Sequence, residues 1–328
     1  MLASRLYRDG RLVRTDLPLE ELGTAASEKG TALWIDCADD DRAVLHELAR
    51  IFDLHPVAVE DALSEHERPK LDRYEKHIFL TAYGTESVPD PQPGAPPLIR
   101  LHEVNVFLTR TTMITVRPRS GPDPARVYEV WEAHPELLAH GASAMLWALL
   151  DGIVDSHFDT VQALDEYAGE IEDKVFGDRP DTRGAQQSLY VLHKRATFLR
   201  RIALPMRDIT GAVVRFGSQA THGPLMPYLQ DVYDHTLRVA DWMDNLHDTV
   251  GTLFDSNLTA QSNRMNSVMK KVTSWAAIIA VPTLVTGYFG MNVEFPFFNT
   301  AQGWWIAVGA ILVPSAILYW LFRRSDWL

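Results

Sequence analysis

Two uncharged stretches near the C-terminus constrain this chain more than anything that precedes them. Val272 to Val293 and Phe295 to Phe322 contain no Asp, Glu, Lys or Arg. Each exceeds the roughly 20 apolar residues a helix needs to cross about 30 Å of hydrocarbon. Within lipid every backbone polar group must be paired inside the segment, so such runs read as membrane-spanning helices rather than loops or open strands. The first 270 residues are rich in charge by contrast, which predicts a soluble part followed by two spans. The opening MLASRLYRDG has no apolar region behind its charges and does not read as a secretory signal.

Charges beside the spans predict their orientation. Lys270 and Lys271 precede the first, Arg323 and Arg324 close the second, and the loop between carries Glu294 without a Lys or Arg. By the positive-inside rule both termini and the soluble part are cytoplasmic, in an inner or plasma membrane. Trp304, Trp305, Trp320 and Trp327 fit anchors among interfacial lipids, and equally fit aromatic residues packed within a bundle.

The apolar fraction of 46% supports a sizeable core in the soluble part. TALWIDC, HIFLTAYG, LIRLHEVNVFL and TTMITVR read as strands, being rich in β-branched and aromatic residues. DRAVLHELARIF and HPVAVEDAL carry helical apolar spacing, and the Pro- and Gly-dense SVPDPQPGAPP reads as a loop. Residues 1–120 are therefore expected to form an α/β domain, with SGPDPAR as its exit into helical sequence. Gly141 to Val175 reads as a helix with Ile153, Val154, Phe158, Val161, Leu164 and Ile171 on one side and many acids on the other. Gly177 and Pro180 end it, and a second helix runs to about Phe216, making 121–225 an acidic helical region. Cys37, the only cysteine, can form no intramolecular disulfide and reads as a buried thiol.

From Met226 to Phe289 only Gly251 and Pro282 interrupt a helical pattern. A continuous helix of that length would run on the order of 95 Å, too long for one globular domain. The expected order is a stalk over 226–271, a first span over 272–292, an outer loop over 293–303, a second span over 304–322 and a basic tail over 323–328. Steps of three or four residues from Asp255 pass Thr259, Ser262, Asn266, Met269, Thr273, Ala276, Ala280, Thr283 and Gly287, a face of small and polar residues. Small residues also let membrane helices pack closely, so the stripe has two readings, a packing face or the lining of a water-filled path. Two spans cannot enclose such a path alone, whereas symmetric copies can.

HPVAVEDAL with RPKLDRY downstream, LRRIALPMRD, YLQDVYDHT, the ending RRSDWL and above all YFGMN closing the first span resemble the CorA magnesium transporters over most of the chain. The resemblance implies an α+β membrane protein. In it an N-terminal cytoplasmic α/β domain and a long stalk helix lead into the first of two C-terminal transmembrane helices, and five copies form a homopentameric funnel. It implies a selectivity filter at Gly290, Met291 and Asn292, and polar stations along the pore at Asn266, Thr283 and Gly287. It further implies a hydrophobic constriction at Met269 and Val272 and an acidic ring at Asp255. Ala280 departs from the family, which places bulkier apolar residues there, and puts a second mid-membrane gate in doubt. Glu60, Asp61, Asp151 and Asp231 match acidic positions where the family holds intracellular Mg²⁺ between subunits, with Asp234 a weaker addition. Mg²⁺ sheds water reluctantly, so uncharged oxygens such as the Asn292 amide, accepting from its bound waters, suit its passage. A left-handed Gly290 would end the helix and turn carbonyls toward the mouth; a simple helix cap formed by Gly290 and Asn292 is the other reading.

Mg²⁺ is thus the expected cargo and regulatory ion, with Co²⁺ and Ni²⁺ as further cargo. A zinc transporter of the same superfamily, proton-coupled or not, and a non-conducting Mg²⁺ sensor are the alternatives. The net charge of −12 makes nucleic acid an unsuitable partner. His46, His55, His66, His77, His102, His157 and His193 show no compact zinc spacing with cysteines. No nucleophile elbow, phosphate loop or metalloprotease motif is present, so no enzymatic activity is expected.

Overall fold

The computed structural model describes residues 2–64, 68–122, 124–176, 182–220, 223–291 and 300–328. It opens with a hairpin, β1 (Leu2–Arg8) and β2 (Arg11–Thr15), turned by Asp9 and Gly10 at φ 48° and 78°. Asp-Gly with both φ positive is the two-residue turn whose twist matches that of paired strands. The other strands are β3 (Thr31–Ala38), β4 (Lys70–Arg73), β5 (Ile78–Val88), β6 (Leu98–Leu108) and β7 (Thr112–Arg117). They form one seven-stranded sheet in the order β2-β1-β3-β7-β6-β5-β4. β3 and β7 pair in parallel, with Ile35 opposite Ile114, and the other neighbours are antiparallel. TALWIDCA, the sequence of β3, is buried at every position, as expected for a central strand covered on both faces.

Alternation along the strands builds two layers. Leu33, Ile35 and Cys37 of β3, Phe79 of β5, Phe107 of β6, and Ile114 and Val116 of β7 face one way. They pack with Leu22 of α1 (Leu19–Ser27), Leu45 and Leu48 of α2 (Arg42–Phe52), and Ala58 and Val59 of α3 (Pro56–Ala62). Burying each larger side chain contributes about 1.5–3 kcal/mol. Burial pushes the Cys37 thiol up to about 12, which makes it a packing residue rather than a nucleophile.

On the opposite face Trp34 meets Trp131 of α4 (Ala125–Glu132) at 5.6 Å between ring centroids. The Trp131 indole donates to the Tyr7 hydroxyl, which donates to Glu132. The short α5 (Pro135–Leu138) leads to α6 (Ala142–Phe176), which is fastened to β5 by polar contacts. The Thr85 amide donates to Ser156 Oγ at 3.0 Å, and His157 Nε2 lies 2.8 Å from the Tyr83 carbonyl oxygen. Full burial lowers the His157 pKa to about 4, leaving a neutral imidazole that donates to that carbonyl.

Three long helices complete the chain, α7 (Thr182–Ala220), α8 (Met226–Phe289) and α9 (Ala301–Arg324). α7 buries Leu189, Leu192, Ala196, Leu199, Ile202, Ala203 and Met206, a three-to-four-residue repeat that explains its amphipathic sequence. The first part of α8 does the same with Leu229, Val232, Val239, Met243 and Leu246. Gly177 and Pro180, expected to end α6, lie outside the described residues. The chain divides into two compact units, Met1–Leu253 and Phe254–Leu328, with the division falling inside α8. α8 and α9 are both long and apolar enough to cross a membrane.

Candidate functional site

In the first unit α6 and α8 each contribute two polar groups one turn apart. Asp151 and Asp155 project from α6, and Asp231 and His235 from α8, each pair at i and i+4 and so on one helix face. The ligand atoms of Asp151, Asp155 and His235 lie within 4.8 Å of one another. His235 Nε2 is 3.7 Å from Asp231 Oδ1, and the ring packs edge-on against Phe158 at 6.1 Å. Burial, then Asp155 and Asp231, hold the Asp151 carboxyl above its ordinary range, with His235 opposing. Lost hydration raises Asp155 as well, with Asp159 and Asp231 adding to the effect against His235. Crowded carboxylates are relieved by protonation or by a cation, and their oxygens suit Mg²⁺ that keeps part of its water shell.

Two of the expected acids, Asp151 and Asp231, therefore meet within one chain, joined by Asp155 and His235. Asp155 is one of the many acids along α6, and sequence spacing alone does not single it out. His235 stands inside YLQDVYDHT and carried no signal of its own, because its neighbours Asp151 and Asp155 are some eighty residues away in sequence. Asp234 accepts from the Gln230 amide at 3.0 Å. Glu60 and Asp61 are not among the groups acting on the Asp151 or Asp155 carboxyls. Asp61 instead pairs with Lys70 at 2.5 Å, and Lys70 also lies 3.4 Å from Asp72.

In the second unit every member of the stripe from Asp255 to Gly287 is exposed in the single chain, Asn266, Met269, Ala280 and Thr283 included, and Val272 beside it is exposed as well. Exposure alone does not separate this face from a lipid face, since Trp275, Ile279 and Leu284 are exposed too. Apart from Met269 the stripe carries small or polar side chains, and Trp275, Ile279 and Leu284 lie off it. Thr259 and Thr283 donate their hydroxyl hydrogens to the carbonyls of Asp255 and Ile279 at 2.9 Å each. Their oxygens then have only lone pairs to offer outward, which suits a cation or its hydration water. Pro282 has no N–H for the Ile278 carbonyl, a local break in the ladder within the apolar part of α8.

At the end of α8, the left-handed conformation expected for Gly290 is not what the structure adopts. The glycines with positive φ among the described residues are Gly10, Gly30, Gly94, Gly141 and Gly223. Gly290 instead donates its N–H to Thr286 O at 2.9 Å, and a Cβ there would lie 2.8 Å from the same oxygen. Its role is to let the helix close tightly before Met291, rather than to reverse the chain. Asn292 and Glu294 lie outside the described residues. At the other end of this unit Trp327 stacks on Phe322 at 5.7 Å and takes Lys270 over its face at 5.8 Å.

The architecture is an α/β layer, an acid-bearing helical layer, and a 64-residue helix followed by a second apolar helix, both long and apolar enough to cross a membrane. A family model described as CorA-like Mg²⁺ transporter protein matches residues 29–324, and the chain belongs to that family. It is 27% identical over 314 residues to the cobalt/magnesium transport protein CorA of Thermotoga maritima, covering 92% of this chain and 85% of that protein. It shares the fold of the CorA magnesium transporter from Methanocaldococcus jannaschii, with TM-score 0.73 and 22% identity over 90% of this chain and 92% of the other. The full-length CmaX protein has the same fold, with TM-score 0.73 and 22% identity over 99% and 97% of the two chains.

Proposed function

We propose that this chain is one subunit of a homopentameric channel that admits Mg²⁺, and also Co²⁺ or Ni²⁺, across an inner or plasma membrane. Both termini are cytoplasmic, and intracellular Mg²⁺ closes the pore. The observation that carries this reading is the uncharged stripe on the membrane part of α8, where the Thr283 hydroxyl proton is already committed to the Ile279 carbonyl. A cation path needs acceptors without fixed charge, because a bare carboxylate in hydrocarbon is expensive and would trap a divalent ion. Family membership and the name of the Thermotoga relative point to the same cargo. In a ring of five, Asn292 supplies the amide oxygens at the mouth, Gly287, Thr283 and Asn266 the stations below it, Met269 and Val272 an apolar constriction, and Asp255 an acidic entrance. Glu60, Asp61, Asp151 and Asp231 hold regulatory Mg²⁺.

Flux into liposomes containing the purified protein tests this, with Mg²⁺, Co²⁺ and Zn²⁺ compared with and without a pH gradient. Mg²⁺ uptake independent of the gradient is expected, and Asn292→Ala should abolish it while leaving a folded oligomer. Zn²⁺ uptake driven by the gradient would transfer the chain to proton-coupled zinc transport. No flux of any ion would leave a sensor, and normal Mg²⁺ flux in Asn292→Ala would remove Asn292 from selection.

A further inference from the structure

Along the seam between α7 and the cytoplasmic-type part of α8, His193 meets His247, with ring centroids 5.2 Å apart and planes at 39°. This angle is neither stacked nor edge-on, the two arrangements aromatic pairs favour. Two imidazoles bound to one tetrahedral ion, each through a nitrogen about 2.0–2.1 Å from it, have centroids about 5 Å apart. The surroundings add an independent observation. His247 Nδ1, Thr197 Oγ1 and Arg200 Nε are buried without a hydrogen-bond partner among the described residues. His193, Thr197 and Arg200 stand at i, i+4 and i+7 on α7, and Asp244 and His247 at i and i+3 on α8, so these orphaned atoms share one seam. Buried polar atoms are rarely left unpaired, and several together point to an occupant of the seam. Arg200, in the same seam, is matched by Asp244 at 2.9 Å.

We propose that His193 and His247 bind a borderline divalent ion, Co²⁺, Ni²⁺ or Zn²⁺, bridging α7 to α8. Two neutral imidazoles select such ions over Mg²⁺, which takes oxygen ligands. Water completes the coordination through the open side left by the exposed His193, and Thr197 Oγ1 is placed to accept from, or donate to, such a water. The site is separate from the acidic cluster of Asp151, Asp155, Asp231 and His235, and it stands whether or not the chain conducts.

The test is Co²⁺ titration of the purified full-length protein in detergent, with saturating Mg²⁺ present to occupy the oxygen sites. A strong, red-shifted visible d–d band, which hydrated octahedral Co²⁺ lacks, reports tetrahedral coordination by the imidazoles, and Zn²⁺ added afterwards should bleach it. Wild type and His235→Ala should both show the band. His193→Ala, at an exposed position, and His247→Gln, which keeps a polar group in the seam, should each lose it and weaken Co²⁺ binding by at least about tenfold. An unchanged band and affinity in folded His193→Ala would overturn the proposal, whatever His247→Gln does. Loss of the band in His235→Ala alone would do the same, by assigning the nitrogen to the acidic cluster.

Discussion

The Asp151 carboxyl is harder to ionise in the folded chain than in the unfolded one, because burial and Asp155 both oppose its charge. For an acid whose folded pKa is raised, the sign is unfavourable above both pKa values. Ionisation then costs stability at neutral pH, and that loss is recovered as pH falls through the folded value. Asp155 is shifted the same way, so the cluster as a whole strains the cation-free protein near neutrality. Asp151→Asn removes one charge while keeping the shape. Without divalent ions the variant should melt higher than wild type at neutral pH, on the order of 2–4 °C for each kcal/mol relieved, and the gap should shrink on acidification. Added Mg²⁺ should raise the wild-type melting temperature more than the variant's. Thermal melts with and without Mg²⁺ at several pH values decide this, and a variant that melts lower than wild type in the absence of Mg²⁺ would show that the carboxylate stabilises the fold by other means.

α8 shows what an element's sequence can disclose. Its limits at Met226 and Phe289 are visible as a stretch whose interior carries Gly251 and Pro282 as isolated interruptions, with Gly287 near its end, and the structure keeps one helix throughout. The four strands β3, β5, β6 and β7 are also legible, because burial demands β-branched and aromatic runs from them. β2 and β4 are not, for a physical reason: β2 is exposed along its length and β4 is short and only half-buried, so neither sits under that demand, while β1, LASRLYR, mixes Ser and Arg among its apolar residues. The Asp9-Gly10 turn was the available signal for the hairpin. In the same way the stripe on α8 is periodic and therefore readable, whereas the meeting of Asp151, Asp155 and His235, or of His193 and His247, depends on helix pairing that no local spacing encodes. At the proposed constriction Met269 and Val272 stand three residues apart, both exposed on the single chain. Met269→Asp should let water wet that ring and raise resting Mg²⁺ flux several-fold. Flux that stays level or drops, with the protein still inserted in the membrane, counts against a hydrophobic gate on this turn of α8.

For the whole molecule, the proposed feedback requires that Mg²⁺ bind one arrangement of the proposed ring better than another, since a ligand shifts two states only through its different affinity for them. Asp151 and Asp231 already meet within a chain, and Glu60 and Asp61 remain outside that group, with Asp61 held by Lys70. On the proposed reading, the arrangement that completes the oxygen set is one in which α3 of a neighbouring subunit approaches α6 and α8, so that bound Mg²⁺ would favour it and the like charges would loosen it when Mg²⁺ is scarce. Coupling through several equivalent interfaces makes closure steep even where each site is weak, as equilibria shared by all subunits do. Asp61→Ala with Asp231→Ala removes ligands and repulsion together, while Lys70 keeps Asp72 as its counter-ion. The expected outcome is inhibition by cytoplasmic Mg²⁺ that needs a concentration roughly 5–150-fold higher, the usual span of allosteric couplings, rather than a pore that stands fully open. Conductance against cytoplasmic Mg²⁺, measured alongside protection from proteolysis, reads both halves of the claim. Superimposable inhibition curves and equal protection in wild type and the double variant would remove these residues from the sensor and leave the path along α8 untouched.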